Sequence, residues 1–229
     1  MIYSYFYADW RYIRTFTRTT DTGEMKIQSV ITGDIVNSTR LGKANMKKLQ
    51  KMLEAIFAGN NYEFYRGDSF QVVVPQPEES LRIALLCRSA AIGITGNEMS
   101  DIKLSIGIGK VDEKLTAPGT AKSEAFIISG RELEDVKSSG ERIKIASPDV
   151  KVNISLQLIA EYVDSIFLRM TSRQAKVIYE LLQGSLQQDV VKRLKKSKST
   201  ISQHASSGRW NEIEKIIKHF EEIIKYLMH

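Results

Sequence analysis

MKIQSVITGDIV, residues 25–36, is the stretch whose reading decides the first half of the chain. It reads as a strand that enters a buried sheet and stops at a Gly-Asp corner. The next segment, LGKANMKKLQKMLEAIFAG (41–59), places Leu49, Met52, Leu53, Ile56 and Phe57 at helical spacing, with Gly59 as a stop. NYEFYRGDSFQVVVP (61–75) then gives two short strand patterns meeting at Arg66, Gly67 and Asp68, and prolines at 75 and 77 end the second.

Further outward, EESLRIALLCRSAAIGI (78–94) predicts a second helix with a buried face, and DIKLSIGIGKV (101–111) a further strand. Residues 110–122 are loop-like, with Pro118 and Gly119 inside. A short helix, SEAFIISGRELEDVK (123–137), and a strand, ERIKIAS (141–147), follow. Strand, helix, strand, strand, helix, strand is the ferredoxin-like plan, here with one more helix and strand. The expected fold class is α+β, followed by an all-α part.

After Pro148 the pattern turns helical. ISLQLIAEYVDSIFLRM (154–170) is an amphipathic scaffold helix, and no Gly/Ser-rich linker precedes it, so close coupling of the two parts is expected. Three more helices are expected: 172–183, 186–196 and 199–227, the last with a potential break near Gly208. The boundaries read from this pass are a peripheral extension at 1–24, a first domain at 25–148 and a second at 149–229. The extension is aromatic-rich and poor in aliphatic core formers, and no function is placed there.

The 229 residues include 42% hydrophobic residues, enough for real cores, and one cysteine, Cys87, which reads as a small buried hydrophobe. No apolar run approaches the roughly 18 to 20 residues that span a bilayer, and neither a signal peptide nor a membrane anchor is read. A reducing cytoplasm is the expected location. The formal net charge is +6, and residues 171–229 hold 11 Lys and Arg against 6 Asp and Glu, whereas residues 1–170 hold 22 against 21. Six bases and no acid fall between 192 and 209, a composition suited to a phosphate-facing surface as well as to a solvated helix face.

Within LQQDVVKRLKKSKSTISQHASSGRW (186–210), Val190, Val191 and Leu194 can face a core, and a short polar turn near Ser197 leads to a helix whose only large aliphatic is Ile201. One apolar anchor would hold such a helix down while its other faces enter a major groove. Lys198, Ser199, Thr200, Ser202, Gln203, Ser206 and Arg209 are the candidate DNA-contacting residues. Gln203 suits an adenine edge, and the hydroxyls and Lys198 suit phosphates. His204 has no second His or Cys at ligand spacing and reads as a surface residue. The phrase KSKSTISQHA (196–205) resembles the opening of the recognition helix in many bacterial helix-turn-helix regulators, over about 40 residues. The resemblance implies double-stranded DNA as the partner, with a protein-contact module as the alternative use of the same fold.

Asp34 and Asp68 stand at two strand ends that adjacent strands could bring together. Two carboxylates there, with the Ile35 carbonyl as a third oxygen, could hold a magnesium ion that carries a nucleotide's phosphates; equally, both could cap turns beside Gly33 and Gly67. Lys26, Arg66, Lys110 and Lys122 could add phosphate contacts or serve as surface charges.

ITGDIVNSTRL (31–41) looks like the first metal-binding strand of class III nucleotidyl cyclases, and YRGDSFQVVV (65–74) like their Gly-Asp hairpin. SIGIGKV (105–111) and AFIISGREL (125–133) follow in the order of later elements. The resemblance spans about 120 residues, 26–146, and the whole arrangement looks most like the SatD family of bacterial proteins. It implies that Asp34 and Asp68 are the metal aspartates and Arg131 the arginine that stabilises the transition state if the chain is an enzyme. The family's ribose-positioning asparagine falls on Ile127 and its purine-reading lysine near Phe64, and the ribose-positioning group is therefore missing.

The resulting expectation is a DNA-binding transcriptional regulator with a non-catalytic, nucleotide-sensing, cyclase-like domain, and a homodimer, since cyclases of this fold place the active site between two domains. A divergent metal-dependent cyclase or other phosphoryl-transfer enzyme is one alternative and a protein-binding adaptor the other.

Overall fold

In a computed structural model that describes residues 25–95, 100–112 and 123–228, the chain is an α+β body followed by helices. Residues 1–24 and Lys122 lie outside the described residues. The strands are β1 (Met25–Ile35), β2 (Asn61–Tyr65), β3 (Ser69–Val74), β4 (Ile102–Asp112) and β5 (Ile143–Ala146). Helices α1 (Gly42–Phe57), α2 (Ser80–Ile94) and α3 (Glu124–Ser138) alternate with them in the order the periodicities predict.

The sheet order is β2-β3-β1-β4-β5. All neighbours are antiparallel except β4 and β5, which α3 joins as a parallel crossover. Alternation sorts the strands' side chains onto two faces. Ile31, Ile35, Phe70, Val72, Leu104 and Ile106 lie in one buried cluster with Leu49, Leu53 and Phe57 of α1 and Leu81 and Leu85 of α2. Each such side chain contributes about 1.5–3 kcal/mol by leaving water. Val30, Val73 and Val111 form a smaller cluster on the other face with Ala125 and Phe126 of α3.

Two glycines permit this packing. A Cβ on Gly33 would lie 2.3 Å from the Phe70 ring, so the Gly-Asp corner leaves room for the ring across the strand pair. A Cβ on Gly107 would lie 2.3 Å from the Ala125 carbonyl oxygen and 2.5 Å from the Ser129 nitrogen, so α3 rests directly on the β4 backbone.

Helix α4 (Val150–Phe167) begins at Asp149, whose carboxylate accepts hydrogen bonds from the Lys151 and Val152 amides. It packs on β5 and on the last helix. Helices α5 (Ser172–Leu182), α6 (Gln187–Leu194), α7 (Lys198–Ser207) and α8 (Trp210–Met228) complete the chain. The pattern at 199–227 is thus split into two helices at Gly208 and Arg209, where Arg209 takes a left-handed conformation with φ 60°. The main buried cluster continues from Ile31 through Ala91 of α2 to Ile178 of α5 and Ile217 and Ile224 of α8. The close coupling expected from the missing linker is therefore direct packing, most extensively of α2 on α5 and of α4 on β5.

Candidate functional site

Helix α6 is capped at Lys195, which adopts a left-handed φ of 50°, and α7 begins three residues later. Ser197 caps α7 by accepting a 3.1 Å hydrogen bond from the Thr200 amide. Ile201 and Ala205 are buried against α5 and α6, with Val190 as the opposing anchor. Ser199, Ser202, Gln203 and Ser206 are exposed, and their spacing puts them on one helix face. Thr200 is half-buried, its hydroxyl 2.8 Å from Ser197 Oγ.

The bases around this face are not equivalent. Arg193 is bound to Glu180 at 2.7 Å. Lys192, Lys195, Lys196 and Lys198 are exposed, and among the described residues none has an ion-pair partner. Four uncompensated ammonium groups beside one helix face form a local positive field. Arg209 is held elsewhere: its guanidinium donates to both carboxylate oxygens of Glu212 and to the Tyr162 hydroxyl, and lies 5.2 Å from the Tyr162 ring centre. Tyr162 also donates to Glu212. This network fixes the α7–α8 elbow to α4. The sequence offered no signal for it, because Tyr162 is 47 residues away.

The second feature is an acidic corner at the end of β1. Asp34 stands opposite Ser69 in the ladder and accepts a 2.7 Å hydrogen bond from its hydroxyl. Asp68 accepts one of 2.9 Å from Ser38, and its carbonyl accepts the Ile35 amide at 2.9 Å. The hairpin turn that carries Asp68 is tethered by Gln50 of α1, which donates to the Gly67 carbonyl at 2.8 Å. The corner therefore gathers both aspartates and Ile35. Among the described residues no group of three or more His, Cys, Asp or Glu could hold a metal ion. Magnesium that arrives on phosphates takes one or two protein carboxylates, and Asp34 and Asp68 are the carboxylates this corner offers.

Of the other sequence-derived candidates, Arg66 stays with this corner, in the hairpin turn two residues before Asp68; the rest are placed differently. Arg131 lies on the exposed side of α3 and pairs with its neighbour Glu132 at 3.1 Å; Ile127, one turn before it, is also exposed. Lys26 sits at the opposite end of β1, eight residues from Asp34, and Lys110 of β4 pairs with Ile27, seven residues from it, which places both about 24–27 Å away at roughly 3.4 Å per residue. They cannot join Asp34 in holding one phosphate group.

Two further elements escaped the sequence reading. One is a hydrogen-bonded polar strip on the face of β2, β3 and β1 beside α3. Tyr65 donates to Glu63 at 3.1 Å and to Gln71 at 3.3 Å, Gln71 donates to Thr32 at 3.2 Å, and Thr32 to Ser129 at 3.0 Å. Burial and the Glu63 carboxylate push the Tyr65 phenol upward. Alternate polar positions in NYEFY and SFQVVV were the available signal. The other is a cavity of about 350 Å3 just beyond the acidic corner, bordered by Val36, Asn37, Asp101, Arg142, Arg169 and Met170.

A scan against protein-family models gives no match to this chain, and a search of curated proteins gives no significant match. Among the described residues no helix is long and apolar enough to cross a membrane.

Proposed function

We propose that this chain is a DNA-binding transcriptional regulator, with α7 as the recognition helix and the sheet domain as a nucleotide sensor. The observation that carries the reading is the α6–turn–α7 unit. It buries Ile201 and Ala205 while exposing Ser199, Ser202, Gln203 and Ser206, with four exposed, unpaired lysines on α6, in the turn and at the start of α7. A short capped turn, one buried side and one polar side are what insertion into a major groove requires. The lysines would hold phosphates and Gln203 would read a base edge. Arg209 serves the elbow in this reading.

The strand order β2-β3-β1-β4, with antiparallel neighbours, supports the ferredoxin-like, cyclase-type reading of the first domain and with it the resemblance to the SatD family. The pair Asp34 and Asp68 supports magnesium-assisted nucleotide binding there. With Ile127 in place of a ribose-positioning asparagine and Arg131 paired to Glu132, sensing is favoured over cyclisation. A homodimer would match two-fold operators.

The test is recovery of sheared genomic DNA on the purified protein in the presence of excess random competitor, followed by sequencing. Enrichment of discrete sites is the expected result. Recovery of nothing above background at both low and moderate salt would overturn the DNA reading and direct attention to the corner of Asp34 and Asp68.

A further inference from the structure

The cavity beyond the end of β1 lies where the two parts of the chain meet. Asp101 and Arg142, at the entries to β4 and β5, form one side of it, and the turn from Arg169 to Ser172, between α4 and α5, forms the other. It is separate from the acidic corner. Alternation puts Asp34 on the sheet face of Thr32, which bonds to Ser129 of α3, whereas Ile92 and Phe167 at the cavity belong to the core on the opposite face.

The polar groups around this cavity are unevenly satisfied. Both oxygens of Asp101 are taken by Arg88. The Arg142 guanidinium reaches only the carbonyls of Gly140 and Glu141, at 3.5 and 3.3 Å. The Arg169 guanidinium is exposed and has no partner among the described residues. Ser100, 4% exposed, also borders the cavity, and its hydroxyl is buried without a hydrogen-bond partner. An orphaned hydroxyl beside two arginines that lack a carboxylate points to an acceptor from outside the chain. The first turn of α5, at Thr171 and Ser172, adds the end of a helix that favours anions.

The donors select the kind of acceptor. A carboxylate's two oxygens suit one planar guanidinium fork. Arg142 and Arg169 come from different walls, and with Ser100 they make three donor groups, for which a phosphoryl group has three oxygens. Ile92, Leu168 and Met170 supply apolar wall, and Leu168 is 50% exposed. The volume, about 350 Å3, falls at the small end of the roughly 300–1,000 Å3 of small-molecule sites. We infer that this cavity binds a small organic phosphomonoester, its phosphoryl group between Arg142 and Arg169 and its apolar part against Leu168 and Met170. Such a ligand joins the sheet body to the α4–α5 turn. The inference rests neither on DNA binding nor on the pair Asp34 and Asp68.

The test is titration of the isotope-labelled full chain with phenyl phosphate, inorganic phosphate and benzoate, without divalent metal, followed by amide chemical shifts. Phenyl phosphate is expected to bind saturably, more tightly than either other probe, and to move the amides of Asp101, Arg142 and Ser172. Arg142→Gln and Arg169→Gln are each expected to weaken it by roughly tenfold or more. Lys47→Gln, an equal loss of charge on the exposed side of α1, should leave it unchanged. Because Arg169 is exposed, its replacement keeps the fold even where Arg142→Gln does not. No saturable binding at millimolar concentrations, shifts centred on α7 or on Asp34 and Asp68, or an affinity indifferent to Arg169→Gln would each overturn the site. Benzoate bound as tightly as phenyl phosphate would overturn the phosphomonoester, and inorganic phosphate bound as tightly would overturn the apolar wall.

Discussion

Arg88 of α2 donates a 2.7 Å hydrogen bond to Asp164 of α4, 76 residues away, with its guanidinium wholly removed from solvent. The same guanidinium holds both oxygens of Asp101 at 3.0 and 2.7 Å and lies 5.0 Å from the centre of the Phe167 ring. Asp164 in turn accepts the Arg142 amide at 2.9 Å, beside the start of β5. Burial alone would lower the Arg88 pKa, but the carboxylates of Asp101 and Asp164 raise it above its ordinary value, so the group stays charged. One buried cation thus ties together α2, the entries to β4 and β5, and the helix that leads to α5–α8. Removing one member leaves the others uncompensated. Asp164→Ala and Arg88→Met are each expected to lower unfolding free energy by about 3–5 kcal/mol, read from urea denaturation. A loss below about 1 kcal/mol in both would show that the triad does not hold these elements together.

Gly107 offers a separate test of how α3 is seated. An added Cβ would meet backbone atoms of Ala125 and Ser129, which cannot turn aside as a side chain could. Gly107→Ala is expected to cost about 1–3 kcal/mol in chemical denaturation, whereas Gly130→Ala, with open space at its Cβ position, should cost little or stabilise α3. Equal effects of the two would contradict the close approach of α3 to β4.

The order of strands and helices was legible because hydrophobic period changes cleanly between segments such as 25–36 and 41–59. The backbone proximity of the Asp34 and Asp68 corners was legible too, since one stands at a strand end and the other just before a strand. Their hydroxyl donors, Ser38 and Ser69, were not, because a serine beside a turn carries no mark of what it will face. Arg88 was hidden for a different reason. An arginine in SLRIALLCRSAAIGI, which also holds Arg82, reads as the solvent side of a helix, and the neutralising partners of Arg88 are distant in sequence. Arg209 was read as a DNA contact from its place after α7; its left-handed backbone and its partners Tyr162 and Glu212 are properties of tertiary packing.

The elbow network predicts an acid response. Hydrogen bonds from Arg209 and then Tyr162 hold Glu212 at about 2 instead of 4.5. Because the folded value is depressed, the stabilisation is complete above 4.5 and is lost as pH falls towards 2. A carboxyl NMR titration of Glu212 should show a midpoint well below the ordinary range, returning towards it in Arg209→Ala. A wild-type midpoint at the ordinary value would show that the network does not form in solution.

Gln203 and the lysines beside α7 should separate specificity from affinity. Gln203 is exposed, and its side-chain amide has no partner among the described residues, so its replacement leaves α7 intact. A bidentate contact to adenine is worth about 1–3 kcal/mol of discrimination. Gln203→Ala should therefore narrow the gap between cognate and random DNA by roughly 5- to 150-fold with little change in random-DNA affinity. Lys196→Ala and Lys198→Ala remove charge without touching base recognition. Each should weaken both kinds of binding alike and reduce the steepness of log K against log salt by about 0.9 for every phosphate that is no longer neutralised. Titrations at several salt concentrations measure both quantities at once. If Gln203→Ala weakened cognate and random DNA equally, α7 would be a phosphate-binding helix and the base reading would have to come from another part of the chain.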